Sequence, residues 1–282
     1  MINVNGRLLQ QDAPSIYLDN RGFKYADSVF ETLKVVRGKI LFWEDHYFRL
    51  MSSMRIMRME IPMTFTMEFL EEEIRKTIET EPNENSVYRV RLVVARTGGG
   101  LYSPNTNDID YYISFASLQN ELYSINEDDY EVDLFKDYYV NTGLLSNIKK
   151  SDKSLNVLGS IYAKENDFQN CLLLNNDKHL VEALNGNIFL VFGNTIKTPS
   201  LDQGVLKGII RQQLIEIIKK DPNYNLEETS ISPFELQRAD EVFITNVIIG
   251  IQPVSRYRKK DFEKVNVNYL LEQLNEKVKN QL

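Results

Sequence analysis

Lys153-Ser154-Leu155-Asn156, Glu182-Ala183-Leu184-Asn185-Gly186-Asn187-Ile188-Phe189 and Leu206-Lys207-Gly208-Ile209-Ile210-Arg211 follow one another in the second half of the chain. In that order they offer an amine, a carboxylate and the start of an amphipathic helix. An amine condenses with an aldehyde, a carboxylate keeps a ring nitrogen protonated, and the N–H groups of a helix N-terminus receive a phosphate. These residue types in this sequence point to an enzyme that works through a phosphorylated, ring-containing aldehyde.

Outward from these stretches, periodicity predicts strands at 130–134, 171–174, 188–191, 241–245 and 249–253, with helices at 155–165, 207–220 and 261–279. The first half reads as strands at 2–5, 7–9 and 39–42, helices at 26–33, 43–58 and 64–79, and two β-patterned runs at 87–95 and 109–116. A Gly-rich turn, Thr97-Gly98-Gly99-Gly100, joins those two runs. The polar, acidic stretch 119–129 is the linker candidate, which divides the chain into an α/β domain at 1–118 and a cofactor-binding domain at 130–282. The fold class is α/β and α+β in two domains, and cofactor sites favour clefts between such domains.

With 282 residues, 43% of them hydrophobic and 26% charged, the chain is long enough for one large core or two smaller ones. A net charge of −7 argues against a nucleic-acid surface, which needs a basic face. Cys171 is the single cysteine, so no internal disulfide forms, and residues 1–6 lack the regions of a secretory signal. No apolar run reaches the roughly 18 residues of a membrane span. The expected location is the cytoplasm, with neither membrane nor nucleic acid as partner and no metal required.

The landmarks resemble those of the class IV aminotransferases, the fold type IV pyridoxal-phosphate enzymes. They fall in family order: Asp19-Asn20-Arg21-Gly22-Phe23, Asp27-Ser28-Val29-Phe30-Glu31, His46-Tyr47-Phe48-Arg49-Leu50, Lys153 to Asn156, Glu182 to Phe189, Thr198-Pro199, Leu206 to Arg211, and Ala239-Asp240-Glu241-Val242-Phe243. The resemblance implies a two-domain enzyme similar to D-amino-acid aminotransferase, with pyridoxal 5'-phosphate as cofactor, a small amino compound as substrate and a homodimeric assembly.

It also implies roles. Lys153 matches the lysine that binds the cofactor aldehyde and then acts as general base, with Lys150 as the competitor; on residue type alone, Lys149, Lys150 and Lys153 read as a solvated patch. Glu182 matches the carboxylate on the pyridine nitrogen. Arg49, the N–H groups of Ile209 and Ile210, and the turn at Asn246 and Val247 match the phosphate cup. Ile210 stands where many transaminases have Thr, which removes a hydroxyl and leaves the backbone donors. Phe30, Arg91 and Arg96 are the substrate-side candidates. Alternation puts Arg89 and Arg91 on one face of their strand and Arg96 on the other, so all three cannot serve one pocket without a twist or bulge.

The same cofactor cage serves transamination and elimination. Ile210, the Thr245-Asn246-Val247 turn and Val157, where branched-chain enzymes have Tyr, lean toward 4-amino-4-deoxychorismate lyase, which releases pyruvate and leaves 4-aminobenzoate. The alternative is a branched-chain or D-amino-acid aminotransferase. The loop Thr97 to Tyr102 lacks the additional Arg that some lyases carry there.

Overall fold

The computed structural model describes residues 1–13, 16–81 and 86–282. The chain divides into two compact units, one of residues 1–121 with 148–152 and 281–282, the other of 122–147 with 153–280. Among the described residues no helix is long and apolar enough to cross a membrane.

The first unit contains β1 (Ile2–Val4), β2 (Arg7–Leu9), α1 (Arg21–Tyr25), β3 (Ser28–Val36), β4 (Lys39–Ile40), α2 (Trp43–Ile56), α3 (Met67–Ile78), β5 (Val87–Arg96) and β6 (Ile109–Ser117). Its six strands form one sheet in the order β2-β1-β6-β5-β3-β4. Val29, Leu33 and Val35 of β3, Val90, Leu92 and Val94 of β5, and Ile113 of β6 build a core with Leu50 and Met54 of α2 and Leu70 and Ile74 of α3. Thr66 caps α3 by accepting from the Phe69 N–H at 3.2 Å.

The helix expected at 26–33 is a strand. β3 runs through this segment and pairs along its whole length with β5, from Ser28 opposite Ala95 to Val36 opposite Val87. A period of two places Val29, Glu31, Leu33 and Val35 on the core face. The carboxylate of Glu31 interrupts that apolar row and masks the alternation. Lys149 and Lys150 pair with the start of this strand, since the Phe30 N–H donates to the Lys149 carbonyl at 2.8 Å and Val29 bridges to Lys150.

The second unit contains β7 (Glu131–Val140), α4 (Ser154–Glu165), β8 (Asn170–Asn175), β9 (Leu180–Ala183), β10 (Gly186–Phe192), β11 (Thr195–Pro199), α5 (Ile209–Lys220), β12 (Asn225–Thr229), β13 (Glu241–Asn246), β14 (Gly250–Pro253), β15 (Arg256–Tyr257), β16 (Lys260–Asp261) and α6 (Val265–Lys279). β10 is the centre of its ten-stranded sheet. One edge of β10 takes β9 at its start and β11 at its end, while β13 pairs with residues 187–191 on the other. The Phe189 and Phe243 rings, opposite one another across β10 and β13, stack at 5.0 Å. Apolar pattern finds the long strands, but the short pieces β9, β11 and β12 carry too few residues to show a period.

The turn after β13 depends on Gly250, whose φ of +70° is in the left-handed region and whose Cα faces the Tyr123 ring. A Cβ there would lie 2.5 Å from Tyr123 Cγ. Gly250→Ala is expected to destabilise the protein by about 1–3 kcal/mol, read by urea denaturation, through strain and the clash together; unchanged stability would show that the turn relaxes without cost.

Candidate functional site

In the second unit, Lys153 is the N-cap of α4, and no side chain caps that helix. One turn on, Asn156 Nδ2 donates to the Leu184 carbonyl at 2.7 Å. Gly159 lets the helix lie on Leu184, since a Cβ there would sit 2.4 Å from Leu184 Cδ2. The start of α4 is thus fastened to the β9–β10 hairpin.

That hairpin holds Glu182 and Asn187 opposite one another in register. Both reach the backbone of the same residue: the Leu206 N–H donates to Glu182 Oε2 at 3.0 Å, and Asn187 Nδ2 donates to the Leu206 carbonyl at 2.9 Å. Two residues later α5 begins, with Gly208 as N-cap and no side-chain cap. Ile209 and Ile210 bury their side chains in the core, 6% and 1% exposed, so only their backbone is left to act as a helix N-terminus toward an anion.

Asn246, at the end of β13, closes its own turn by accepting from the Ile248 and Ile249 N–H groups at 3.0 and 3.1 Å. Its Nδ2 donates to the Asn185 carbonyl at 3.0 Å, which ties this turn to the same hairpin. The next carbonyl, of Val247, accepts from the Tyr123 hydroxyl at 2.8 Å. Beside them the Thr245 hydroxyl is buried with no hydrogen-bond partner among the described residues. Lys153, Glu182, Ile209, Ile210, Asn246 and Val247 all belong to this unit. An amine at one helix start, a carboxylate fixed by a neutral N–H and an uncapped second helix start suit the aldehyde, ring nitrogen and phosphate of one small molecule.

Arg49, Phe30, Arg91 and Arg96 belong to the first unit, as does Lys150, whose Nζ is 3.4 Å from Asp152. Arg49 is gripped by Glu31, with Nε on Oε1 at 2.8 Å and Nη2 on Oε2 at 2.5 Å. His46 Nδ1 is 2.7 Å from the same carboxylate, and its Nε2 is buried with no hydrogen-bond partner among the described residues. Burial acts to raise the Glu31 pKa, but the charge and hydrogen bonds of Arg49 and the contact with His46 overcome it and bring the group from 4.5 to about 2. Burial pushes the His46 imidazole down, against the pull of Glu31. Glu31 is the residue that sequence reasoning missed. It was legible as a landmark, but a carboxylate inside a strand announces no partner 18 positions away.

Arg91 and Arg96 part company as alternation requires. Arg91 is exposed with its guanidinium 4.1 Å from the centre of the Phe30 ring, and Lys149 Nζ lies 4.6 Å from the same ring. Arg96 is 6% exposed and committed to structure: Nε to Asp27 at 2.9 Å, Nη1 to Asn107 at 2.6 Å and the Arg58 carbonyl at 3.0 Å, Nη2 to the Met57 carbonyl at 2.5 Å. Asp27 also receives Arg21 Nε at 2.9 Å. Four contacts on protein acceptors suit Arg96 to holding this loop, and only Arg91 of the expected pair remains a substrate candidate.

Comparison with known proteins gives a family model, amino-transferase class IV, matching residues 28–257. D-alanine aminotransferase of Listeria monocytogenes is 28% identical over 265 residues, 89% of this chain and 86% of that protein. Aminodeoxychorismate lyase of Vibrio harveyi is 25% identical over 257 residues, 90% of each. The structure of branched-chain amino acid aminotransferase from Thermobaculum terrenum in its PLP form superimposes with a TM-score of 0.84 at 19% identity, over 100% of this chain and 94% of that one.

Because the folded pKa of Glu31 is below its ordinary 4.5, its contribution to stability is complete above that value and is lost as pH falls toward 2. Urea unfolding across this window should show a steeper loss in the wild type than in Glu31→Gln. At neutral pH the variant, with Arg49 left half-buried and its carboxylate partner gone, should be less stable by about 3–5 kcal/mol. Parallel pH profiles would remove Glu31 as the origin of the slope.

Proposed function

Since the chain belongs to the amino-transferase class IV family, we propose that it is a pyridoxal-phosphate enzyme of the lyase branch, converting 4-amino-4-deoxychorismate into 4-aminobenzoate and pyruvate. The observation that carries the cofactor reading is the fastening of Leu206, two residues before α5, to Glu182 and Asn187 of one hairpin, with the helix start after Lys153 tied to the same hairpin. The cofactor would be held by Lys153 at its aldehyde, Glu182 at its ring nitrogen, and the Ile209, Ile210 and Val247 backbone at its phosphate, to which the family resemblance adds Arg49. When bound, it supplies an electrophile for amines and an electron sink beside the carbon that bears the substrate amine.

The chain's own residues do the rest. Lys153 would take the proton from the carbon that bears the substrate amine. Glu182, positioned by the hydrogen bond from the Leu206 N–H, would stand at the ring nitrogen and favour its protonated form. Arg91, beside the Phe30 ring, would receive a substrate carboxylate. Loss of the three-carbon side chain as pyruvate then leaves an aromatic ring, which makes the elimination favourable.

The lyase reading is favoured by Ile210, whose buried side chain offers no hydroxyl, and by the Asn246-Val247 turn. The likeness to D-alanine aminotransferase over 89% of the chain supports the second reading, amino-acid transamination. Both readings use the same residues up to proton removal. A homodimer in the cytoplasm is proposed from the family resemblance.

Incubation with aminodeoxychorismate should yield 4-aminobenzoate and pyruvate; glutamate from amino acids and 2-oxoglutarate, without 4-aminobenzoate, would establish the transaminase instead. Borohydride reduction and digestion should place the cofactor adduct on Lys153, and Lys153→Ala should abolish both adduct and turnover; an adduct on Lys150 would reassign the site. Glu182→Gln should keep the cofactor and slow turnover by at least ~10²-fold, as expected on losing a charge-stabilising group. Unchanged kcat would remove Glu182 from the chemistry.

A further inference from the structure

We infer that Asn187 is a positioning residue which fixes the spacing between the Glu182 carboxylate and the phosphate-binding start of α5. The inference rests on the cofactor reading above and adds to it a residue that acts through Leu206 and Gly208. Asn187 is 3% exposed and stands opposite Glu182 across the β9–β10 hairpin. From that strand it reaches the Leu206 carbonyl at 2.9 Å, while Glu182 takes the Leu206 N–H at 3.0 Å. Leu206 is therefore held at both its N–H and its carbonyl, which belong to the two successive peptide groups on either side of its Cα, and neither group can turn without breaking a buried hydrogen bond. The Gly208 N–H adds a third contact, donating to the Leu206 carbonyl at 2.8 Å, so the chain enters α5 along one defined path.

Gly208 completes the device. A Cβ at this position would lie 1.9 Å from Asn187 Oδ1 and 3.1 Å from its Cγ, so the amide occupies the space that any larger residue would need. The helix start is seated against the Asn187 side chain as well as bonded to it through Leu206. The phosphate is joined to the ring by a short methylene-oxygen arm, so it can lie only within a narrow range of distances from the ring nitrogen. Protein groups that bind both ends must be held to within about 0.5 Å of the matching separation by residues that are themselves locked. The backbone of Leu206 supplies that connection, and Asn187 is the side chain that locks it.

Asn187→Asp tests this without changing size, because it replaces the N–H donor with an oxygen facing the Leu206 carbonyl. The affinities of cofactor-stripped wild type and variant for pyridoxal 5'-phosphate and for pyridoxal, which lacks the phosphate, are compared by absorbance titration. The expected result is an affinity for the phosphate form weakened by about tenfold, the worth of one buried hydrogen bond, with pyridoxal affinity changed by less than about threefold. A merely structural role would lower both affinities alike and leave their ratio constant, and that outcome overturns the inference.

Asn187→Ser and Gly208→Ala give the measurement independently of whether the Asp variant folds. Gly208→Ala should reproduce the selective loss in the wild-type background, and should add less than about twofold in Asn187→Ser, where the clash has been removed. Additive effects would count against the clamp. Wild-type protein that takes up neither ligand would sink the cofactor reading itself, whereas uptake with an unchanged ratio in every variant would sink only the role of Asn187.

Discussion

Two hydrogen bonds on the backbone of one residue, Leu206, organise the second unit. Leu206 gives its N–H to Glu182 and its carbonyl to Asn187, so a loop that could take many paths is tied to the edge of a sheet. The remaining fastenings converge on the same hairpin: Asn156 from α4 reaches the Leu184 carbonyl, and Asn246 from the end of β13 reaches the Asn185 carbonyl. Three segments far apart in sequence thus owe their positions to a turn of a few residues. Side-chain amides do this work because each is short, uncharged and able to bond a backbone group.

The first unit solves a different problem with charge. Glu31, inside a strand and on its core face, has Arg49 and His46 around it, and Asp27 collects Arg21 and Arg96 in the same way. Each carboxylate is removed from water and repaid by guanidinium donors in planar, hydrogen-bonded geometry. Such networks add little to net stability, yet they punish any other arrangement, because a partner left behind would be a buried bare charge. Arg49 is consequently presented from a fixed base rather than from a flexible surface side chain.

Legibility followed the same division. Long amphipathic helices and the strands of the large sheets show their period, and α2, α3, α4 and α5 fall close to where apolar spacing puts them. β3 did not, because Glu31 sits in its apolar row and only the pairing with β5 identifies the segment as a strand. Alternation alone separated Arg96 from Arg89 and Arg91, but that Arg96 is occupied by Asp27, Asn107 and two carbonyls required the loops to be in place. The roles expected for Lys153 and Glu182 came from motif order, and neither residue type by itself would have distinguished a site from a solvated surface.

The order of lysine, glutamate and helix start is written in the chain, as are the apolar periods that build two cores, since both depend only on which residue follows which. What joins them is not. Glu182 and Asn187 are five positions apart and reach a peptide about twenty residues away, Glu31 and Arg49 come from different elements, and Asn187 fits only because Gly208 lacks a Cβ. Such contacts form when loops close and side chains pack, so their geometry belongs to the folded molecule and has no signature in local sequence.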